Sequence, residues 1–249
     1  MQSLRSLLLA GGVFFALCVG ASAGVSAADS GASEDGYVLD GEVVRRQHEE
    51  WLEKMAVPCL VQALEAERRW GMPRGLLLAI ALVESGDAGV PDSSVVTVGG
   101  SARRGLDPAE AVRRVTDRRG RPLPNVYVGC MQLSAYFHGR HFPSLEAMFD
   151  RELNVSYAAE YLAGHRQNTR SWAGALQRYN GGGNPSYVCK VVAAMRAMRL
   201  SSASEVAPRS GCAQPAVAPE IIRALALDED HQNRRLQTVQ AIPGRPAGG

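Results

Sequence analysis

Residues 75–85 have the sequence GLLLAIALVES, in which eight consecutive apolar residues end at a glutamate, Glu84. The segment is apolar on every side, yet far shorter than the roughly 20 residues that cross a bilayer. This pattern is typical of the buried central helix of a globular domain. Glu84 then either faces water at the helix end or forms a partly buried acid in a cleft wall. In a cleft wall, desolvation would raise its pKa and keep it protonated near neutral pH.

The composition limits the classes of protein to consider. The chain has 249 residues, 46% of them hydrophobic, so it can form a core and wholesale disorder is excluded. Its 27 basic and 25 acidic residues give a net charge of +2, which argues against a nucleic-acid partner. We predict one main domain of the α+β class, mainly α.

The N-terminus has the composition of a secretory signal peptide. Arg5 precedes an apolar run over 7–20, and small residues with A-x-A-like cleavage sites follow over 21–28. We therefore expect residues 1–28 to be removed on export, with an uncleaved membrane anchor as the alternative. No other stretch predicts a transmembrane segment.

Four cysteines remain once Cys18 leaves with the signal peptide. An even number in an exported protein predicts disulfides, and three pairings are possible. We favour Cys59–Cys130 and Cys189–Cys212, because the second pair closes a local loop. No pair has C-x-x-C spacing, so we expect no metal site, and nothing in the sequence indicates a cofactor.

The rest of the chain alternates helical patterns with one short β segment. Residues 29–41 predict a flexible lead-in and 42–204 the folded domain. Residues 205–249 are rich in Ala and Pro and predict a largely disordered tail with one short helix near 218–227. Within the domain, residues 95–100 predict a β-hairpin, and Asp107-Pro108 the start of a helix over 109–118. Pro73 is expected at the start of the apolar helix. Further helices are predicted over 144–149, 152–167, 171–178 and 185–200.

Four segments follow one another along the chain: Glu84-Ser85, GCMQ at 129–132, ELNVSYAAEYL at 152–162 and ALQRYNGG at 175–182. In this order they resemble the catalytic domain of lytic transglycosylases, the lysozyme-like enzymes that cleave bacterial peptidoglycan. The resemblance spans about 59–200 and implies a lysozyme-like fold with a small β-hairpin lobe. Cys130 and the segment YFHG at 136–139 are most similar to the small transglycosylases of secretion, conjugation and pilus systems. The implied location is the periplasm, and the implied partner is the glycan strand.

The resemblance also implies a role for each matching residue. Glu84 protonates the oxygen between N-acetylmuramic acid and N-acetylglucosamine, then acts as base on the muramic C6 hydroxyl, giving a 1,6-anhydro end without water. Sugar-binding roles are implied for five residues. Ser85 and Gln132 would hydrogen-bond to sugar, Met131 would line the floor, Tyr179 would reach toward Glu84, and Asn180 would shape the turn.

Several side chains have simpler interpretations. Met131 is equally consistent with core packing, and we expect Tyr161 and Leu162 to pack on a helix. We expect Asn154 to cap a helix start. His138 and His141 are interpreted as surface or packing residues rather than metal ligands. The arginine pairs at 103–104, 113–114 and 118–119 are either a solvated face or a contact for the acidic peptides of peptidoglycan.

Two other functions stay open at this point. If Asp87 or Asp92 lay opposite Glu84, two carboxylates could run a water-using lysozyme reaction. A non-catalytic glycan-binding or assembly protein could also keep the fold. The intact Glu84, Gln132 and Tyr179 argue against this last hypothesis.

Overall fold

The computed structural model describes residues 57–208 and 211–240, together with Glu50, and side chains up to residue 236. The predicted signal peptide (1–28), the lead-in (29–41) and the first part of the predicted domain (42–49 and 51–56) lie outside the described residues. Within the described part of the chain, no helix is both long enough and apolar enough to cross a membrane.

The apolar segment forms a buried helix, as predicted. This helix is α2 (Leu76–Ser85), and helix α1 (Leu60–Trp70) precedes it. The first six residues of α2 are fully buried. Pro73 does not start α2. Gly75 is the N-cap, with φ of +78°, and a Cβ there would overlap the Leu200 side chain. Only glycine adopts this backbone conformation without a penalty and leaves the needed space.

A small antiparallel sheet follows α2. Its strands are β1 (Val96–Val98), β2 (Ser101–Arg103), β3 (Val126–Val128) and β4 (Leu133–Ser134), in the order β2-β1-β3-β4. The predicted hairpin is confirmed as β1–β2, while β3 and β4 were not predicted. Strands of two or three residues give too little alternation for a sequence pattern to detect.

Helix α3 (Pro108–Val115) follows the β1–β2 hairpin in the chain and begins as predicted. The Asp107 carboxylate accepts a hydrogen bond from the Glu110 amide at 3.0 Å, with Pro108 in the first turn. The helix ends at Val115 rather than at 118, because the backbone becomes extended at Thr116. Thr116 then forms an antiparallel β-bridge with Pro122.

The remaining helices complete a mainly α domain. Helix α5 (Arg151–Thr169) packs against α1 and α6 (Trp172–Tyr179), and α2 packs against α7 (Tyr187–Ala197). The segment predicted as a helix over 144–149 is a short 3-10 turn, Glu146–Phe149, and a second such turn covers Gly139–His141. The helices are α4 (Ala135–His138), α5 (Arg151–Thr169), α6 (Trp172–Tyr179), α7 (Tyr187–Ala197), α8 (Ala203–Val206) and α9 (Pro219–Gln240). The α+β, mainly α, class is as predicted.

Two disulfides form with the favoured pairing. Cys59–Cys130 joins the start of α1 to the loop before β4, and Cys189–Cys212 joins α7 to the segment leading into α9. The first spans a sequence separation of 71 residues and the second one of 23, so the first restricts the unfolded chain more, by about 1 kcal/mol.

The C-terminal segment differs from the expected loose tail. Helix α9 covers 22 residues where a short helix over 218–227 was expected. Ile221, Ala224, Leu225 and Asp228 are buried at helical spacing, forming one face against the domain. Asp228 lies 3.2 Å from the Arg68 guanidinium and 3.1 Å from that of Arg74. A buried carboxylate held by two arginines fixes this helix to α1 and the α1–α2 turn.

Candidate active site

Glu84 lies in the last turn of α2, where the helix leaves the core, and its carboxyl is largely buried. Burial raises its pKa from 4.5 to about 7. The Tyr187 hydroxyl and the Lys190 ammonium, both on α7, lie close enough to lower the pKa in part. Within the described part of the chain, Tyr187 Oη has no hydrogen bond of good geometry. A carboxyl with this pKa can both give and take a proton near neutral pH.

Glu84 lines a cleft of about 750 Å³, whose walls are formed by residues of both the sheet and the helices. Among the described residues that line this cleft, Glu84 is the only one with a carboxylate side chain. The cleft is lined by Glu84, Thr97, Tyr127, Gln132, Leu133, Ser134, Phe137, His138, Arg140, His141, Tyr157, Tyr161, Arg178, Tyr179, Asn180 and Gly181.

Gln132 lines the cleft from the loop between β3 and β4. Its backbone is left-handed, with φ of +46°, which is uncommon outside glycine. Its side-chain oxygen accepts from Thr97 Oγ1 at 2.6 Å, and its amide nitrogen donates to the Val95 and Gly129 carbonyls at 3.3 and 3.0 Å. These three bonds fix the amide at the cleft wall, so a sugar would meet it in one orientation.

Tyr179 and Asn180 line the cleft from the end of α6. The Tyr179 hydroxyl donates to the Met131 carbonyl at 2.9 Å. Burial, and then the charge of Glu84, raise its pKa well above 10, so the phenol stays neutral. The backbone N–H of Asn180 donates to the Leu176 carbonyl at 3.1 Å and so ends the helix. Met131 itself is fully buried and is not a lining residue, so its main-chain oxygen is what holds Tyr179 beside the cleft.

Ser85, adjacent to Glu84, is buried and is not a lining residue. Its hydroxyl donates to the Ala81 carbonyl at 2.9 Å and accepts from the Asp92 amide at 3.3 Å. Sugar binding by Ser85 stays a prediction. Because the hydroxyl hydrogen is already donated to the Ala81 carbonyl, the hydroxyl in this state could only accept a hydrogen bond from a sugar. In the structure, these bonds fix the chain just beyond Glu84.

The two aspartates considered as a second carboxylate lie elsewhere. Asp92 pairs with Arg104 at 2.9 Å and accepts from Ser94, and neither Asp92 nor Asp87 is a lining residue. The hydrogen bonds from Ser94 and Arg104 outweigh the desolvation of Asp92 and lower its pKa. Asp87 is exposed and lies 3.9 Å from the same arginine. Arg104 therefore holds both carboxylates in the loop after α2.

Asn154 was expected to cap a helix start, but that cap is Asp150, whose carboxylate accepts from the Leu153 amide at 2.9 Å. Asn154 is fully buried one turn into α5. It accepts from the Met131 amide at 3.0 Å and donates to the Val128 and Met148 carbonyls at 3.2 and 2.9 Å. All of its bonds reach main-chain atoms, so Asn154 organises the loop that carries Gln132 and Met131.

The sequence analysis did not predict that aromatic rings form part of the cleft wall. His138 Nδ1 lies 2.9 Å from Tyr157 Oη, and the rings of Tyr157 and Tyr161 stack at 6.3 Å between centroids. The His141 ring stacks on Tyr157 at 5.4 Å. Burial, and then nearby positive charge, lower the pKa of His138, so the ring is neutral near pH 7. The spacing of Tyr157 and Tyr161, four residues apart on α5, indicated a shared face but not that the face lines a cleft.

The expectation of packing fits Leu162, which is fully buried, whereas Tyr161 lines the cleft. His138 and His141 both pack on Tyr157 and line the cleft. Among the described residues, no group of three or more His, Cys, Asp or Glu side chains could hold a metal ion.

The comparison with known families fits this geometry. The family model described as the transglycosylase SLT domain matches residues 62–188, just over half of the chain. The chain belongs to this family. Neither a curated protein nor a solved structure was found to match it. The SLT match contains Glu84, Gln132 and Tyr179 and ends within the first turn of α7. Membership supports a lysozyme-like fold and an enzyme role as a lytic transglycosylase, with peptidoglycan as the substrate.

Proposed function

We propose that this SLT protein cleaves the β-1,4 bond between N-acetylmuramic acid and N-acetylglucosamine and leaves a 1,6-anhydro end on the muramic acid. The observation that carries the proposal is the carboxyl of Glu84, alone among the described residues lining the cleft and with a pKa near 7. A single group near its half-protonation point can serve both proton transfers of one reaction.

In the first step, the protonated Glu84 carboxyl gives its proton to the glycosidic oxygen while the bond from that oxygen to muramic C1 breaks. The departing sugar leaves as a neutral alcohol, and positive charge develops at C1. Burial of Glu84 favours this step, because it keeps the acid protonated at a pH where an exposed glutamate is ionised.

In the second step, the Glu84 carboxylate takes the proton of the muramic C6 hydroxyl as that oxygen bonds to C1. The proton returns to Glu84 and no water is consumed. Lys190 assists by favouring the carboxylate formed between the steps. The neutral Tyr179 phenol and the fixed amide of Gln132 border the same cleft and would orient the sugars.

The hydrolytic alternative needs a second carboxylate to activate water or to attack C1. Asp87 and Asp92, the two residues considered for this role, are held by Arg104 in the loop after α2 and do not line the cleft. This arrangement favours the non-hydrolytic reaction.

Mass analysis of the muropeptides released from purified sacculi tests the proposal, with Glu84→Gln as the matched variant. We expect 1,6-anhydro ends from the wild type and at least about a thousandfold less product from Glu84→Gln, because the amide cannot donate or accept the proton. Asp92→Asn, which alters a carboxylate outside the cleft, should keep most activity.

Reducing ends, heavier by one water, would instead identify a hydrolase. Release of product by Glu84→Gln at the wild-type rate would contradict the role of Glu84. Binding of sacculi without any release by the wild type would support a glycan-binding protein.

We further propose that residues 1–28 direct export and that the mature enzyme acts in the periplasm, beside a secretion, conjugation or pilus system. The support for export is the apolar segment over 7–20, the small residues after it, and the two disulfides, which need an oxidising compartment. The support for such a system is the resemblance carried by Cys130 and the segment YFHG at 136–139. N-terminal sequencing of periplasmic protein tests the cleavage. Retention of residues 1–28 would contradict it.

A further inference from the structure

Positive charge is concentrated in the lobe between β1 and β3. Residues 99–121 contain seven arginines and three carboxylates, a net charge of +4, whereas the whole chain has +2. The rest of the molecule is therefore slightly acidic, and the lobe is a local positive region on it. Its arginines are not used by the reaction proposed above.

Part of this charge is fixed on one structural unit, which we name the arginine tip. It comprises the last turn of α3 and the turn over 117–121. The Leu123 amide donates to the Val115 carbonyl at 2.8 Å, and Thr116 pairs with Pro122. These contacts place the turn directly beyond the end of α3, so Arg113 and Arg114 of the helix adjoin the arginines of the turn.

The turn itself is ordered by Asp117. Its carboxylate accepts from the Arg119 and Arg121 amides at 2.8 and 3.0 Å, and the Gly120 amide closes the turn on the Asp117 carbonyl at 2.9 Å. Gly120 has φ of +73°, a conformation that suits glycine. A ligand would therefore meet a backbone that is already ordered.

Some of the arginines of the tip are paired within the tip, and others are not. Arg114 pairs with Glu110, and Arg121 pairs with Asp117, at 2.7 and 2.8 Å. Arg113, Arg118 and Arg119 are exposed and form no ion pair within the described part of the chain. Like charges on the end of one helix and on the turn that follows it repel one another, and a multivalent anion would reduce that repulsion.

We propose that the arginine tip binds the carboxylates of the peptide stems of peptidoglycan. This inference rests on the proposed function for the identity of the substrate, and it adds a second contact outside the cleft. The stems carry several carboxylates each, whereas N-acetylated sugars in an intact strand are uncharged. Guanidinium groups suit carboxylates because they can donate two parallel hydrogen bonds. The tip would thus bind peptide while the cleft binds glycan.

The test is binding of the mature protein to sacculi, with Glu84→Gln in every sample so that the substrate persists. The variant is Arg113→Gln/Arg118→Gln/Arg119→Gln. The control, Arg69→Gln/Arg199→Gln/Arg223→Gln, removes the same charge from exposed arginines elsewhere. Three ligands are compared at several salt concentrations: intact sacculi, sacculi whose carboxylates have been converted to amides, and vesicles of anionic phospholipid.

We expect the tip variant to bind intact sacculi roughly tenfold more weakly at low salt, with less loss at high salt, because exposed charge pairs are screened. The control should bind like the parent. On amidated sacculi, all three proteins should bind equally weakly.

Equal binding of the tip variant and its parent to intact sacculi would overturn the proposal, as would an equal loss in the control. A loss confined to the phospholipid vesicles would also overturn it and assign the tip to a membrane surface. Binding needs no turnover, so these outcomes are independent of whether Glu84 produces anhydro ends.

Discussion

Among single residues, Asn154 shows how a buried amide organises the cleft. Two of its three hydrogen bonds reach the main chain on either side of Gly129, at Val128 and Met131, and the third reaches the Met148 carbonyl. Gly129 itself has φ of +75°. A Cβ on Gly129 would come within 2.6 Å of Asn154 Nδ2. The loop approaches α5 this closely only because residue 129 has no side chain. Asn154 and Gly129 therefore fix the position of Gln132.

We predict that Asn154→Ala lowers the free energy of unfolding by about 2–4 kcal/mol, because it leaves buried main-chain groups without partners. Chemical denaturation with the disulfides intact measures this. Ser156→Ala, on the same helix, should change stability by less than about 0.5 kcal/mol. Equal effects of the two substitutions would contradict the assigned role of Asn154.

The sequence indicated Glu84 but not Asn154, for a physical reason. Glu84 directly follows eight apolar residues, so its sequence neighbours alone make it unusual. The partners of Asn154 include Met131 and Val128, which precede it by 23 and 26 residues. Such partners come together only through tertiary structure, and a helix-start cap is the ordinary local role of an asparagine.

Among the helices, α2, which carries Glu84, has its N-terminus capped by the Glu67 carboxylate. Gly75, the N-cap of α2, has no side chain that could cap the helix. The Glu67 carboxylate, from α1, accepts from the Gly75 and Leu77 amides at 2.6 and 2.7 Å and from Leu78 at 3.3 Å. It therefore supplies from another helix the acceptors that an N-cap residue normally provides.

We predict that Glu67→Ala lowers the free energy of unfolding by about 2–3 kcal/mol, because the first amides of α2 lose their acceptor inside the core. Glu67→Gln keeps the shape and one acceptor and should cost about half as much. Glu65→Ala, at an exposed site on the same helix, is the control. If Glu67→Ala behaved like Glu65→Ala, Glu67 would not hold the α2 terminus.

A helix could be predicted from the sequence where its defining pattern lies within a few consecutive residues. The apolar run identified α2, and Asp107-Pro108 identified the start of α3. Helix α9 was underestimated because its Ala- and Pro-containing surroundings suggested a tail. The signal that could have revealed it is the spacing of Ile221, Leu225 and Asp228 on one helical face. In the sequence, Glu67 cannot be told from a glutamate on a helix surface. Its role depends on the α1–α2 turn, which places the first amides of α2 beside its carboxylate.

For the molecule as a whole, two buried carboxyls couple folding to pH. Burial raises the pKa of Glu67 and that of Glu84 from 4.5 to about 7. A raised pKa means that the folded state holds a proton that the unfolded chain releases at lower pH. Each group thus contributes stability that is fully present below about pH 4.5 and is lost as pH rises through about 7.

Other groups oppose this trend. The pKa values of His138 and His165 are lowered by burial, so their contribution is present above about pH 6.5 and lost on acidification. Asp92, with a lowered pKa, loses its contribution only below its ordinary value of 3.8. The carboxyl effect is therefore isolated by the difference between the wild type and Glu67→Gln/Glu84→Gln, in which neither position titrates.

We predict that the wild type loses more stability than Glu67→Gln/Glu84→Gln between pH 5 and pH 8, by on the order of 3 kcal/mol or more. A single carboxyl whose pKa moves from 4.5 to about 7 contributes on the order of 3 kcal/mol. The contribution of Glu84 is smaller than that of Glu67, because Glu84 is less completely buried. Urea denaturation across this range measures the difference, with Glu65→Gln as a control that should follow the wild type. Parallel curves for the wild type and the double variant would mean that both carboxyls ionise in the folded protein as they do in the unfolded chain. In that case, Glu84 would not be the protonated acid that the proposed reaction requires, so this equilibrium measurement tests the chemistry without any substrate.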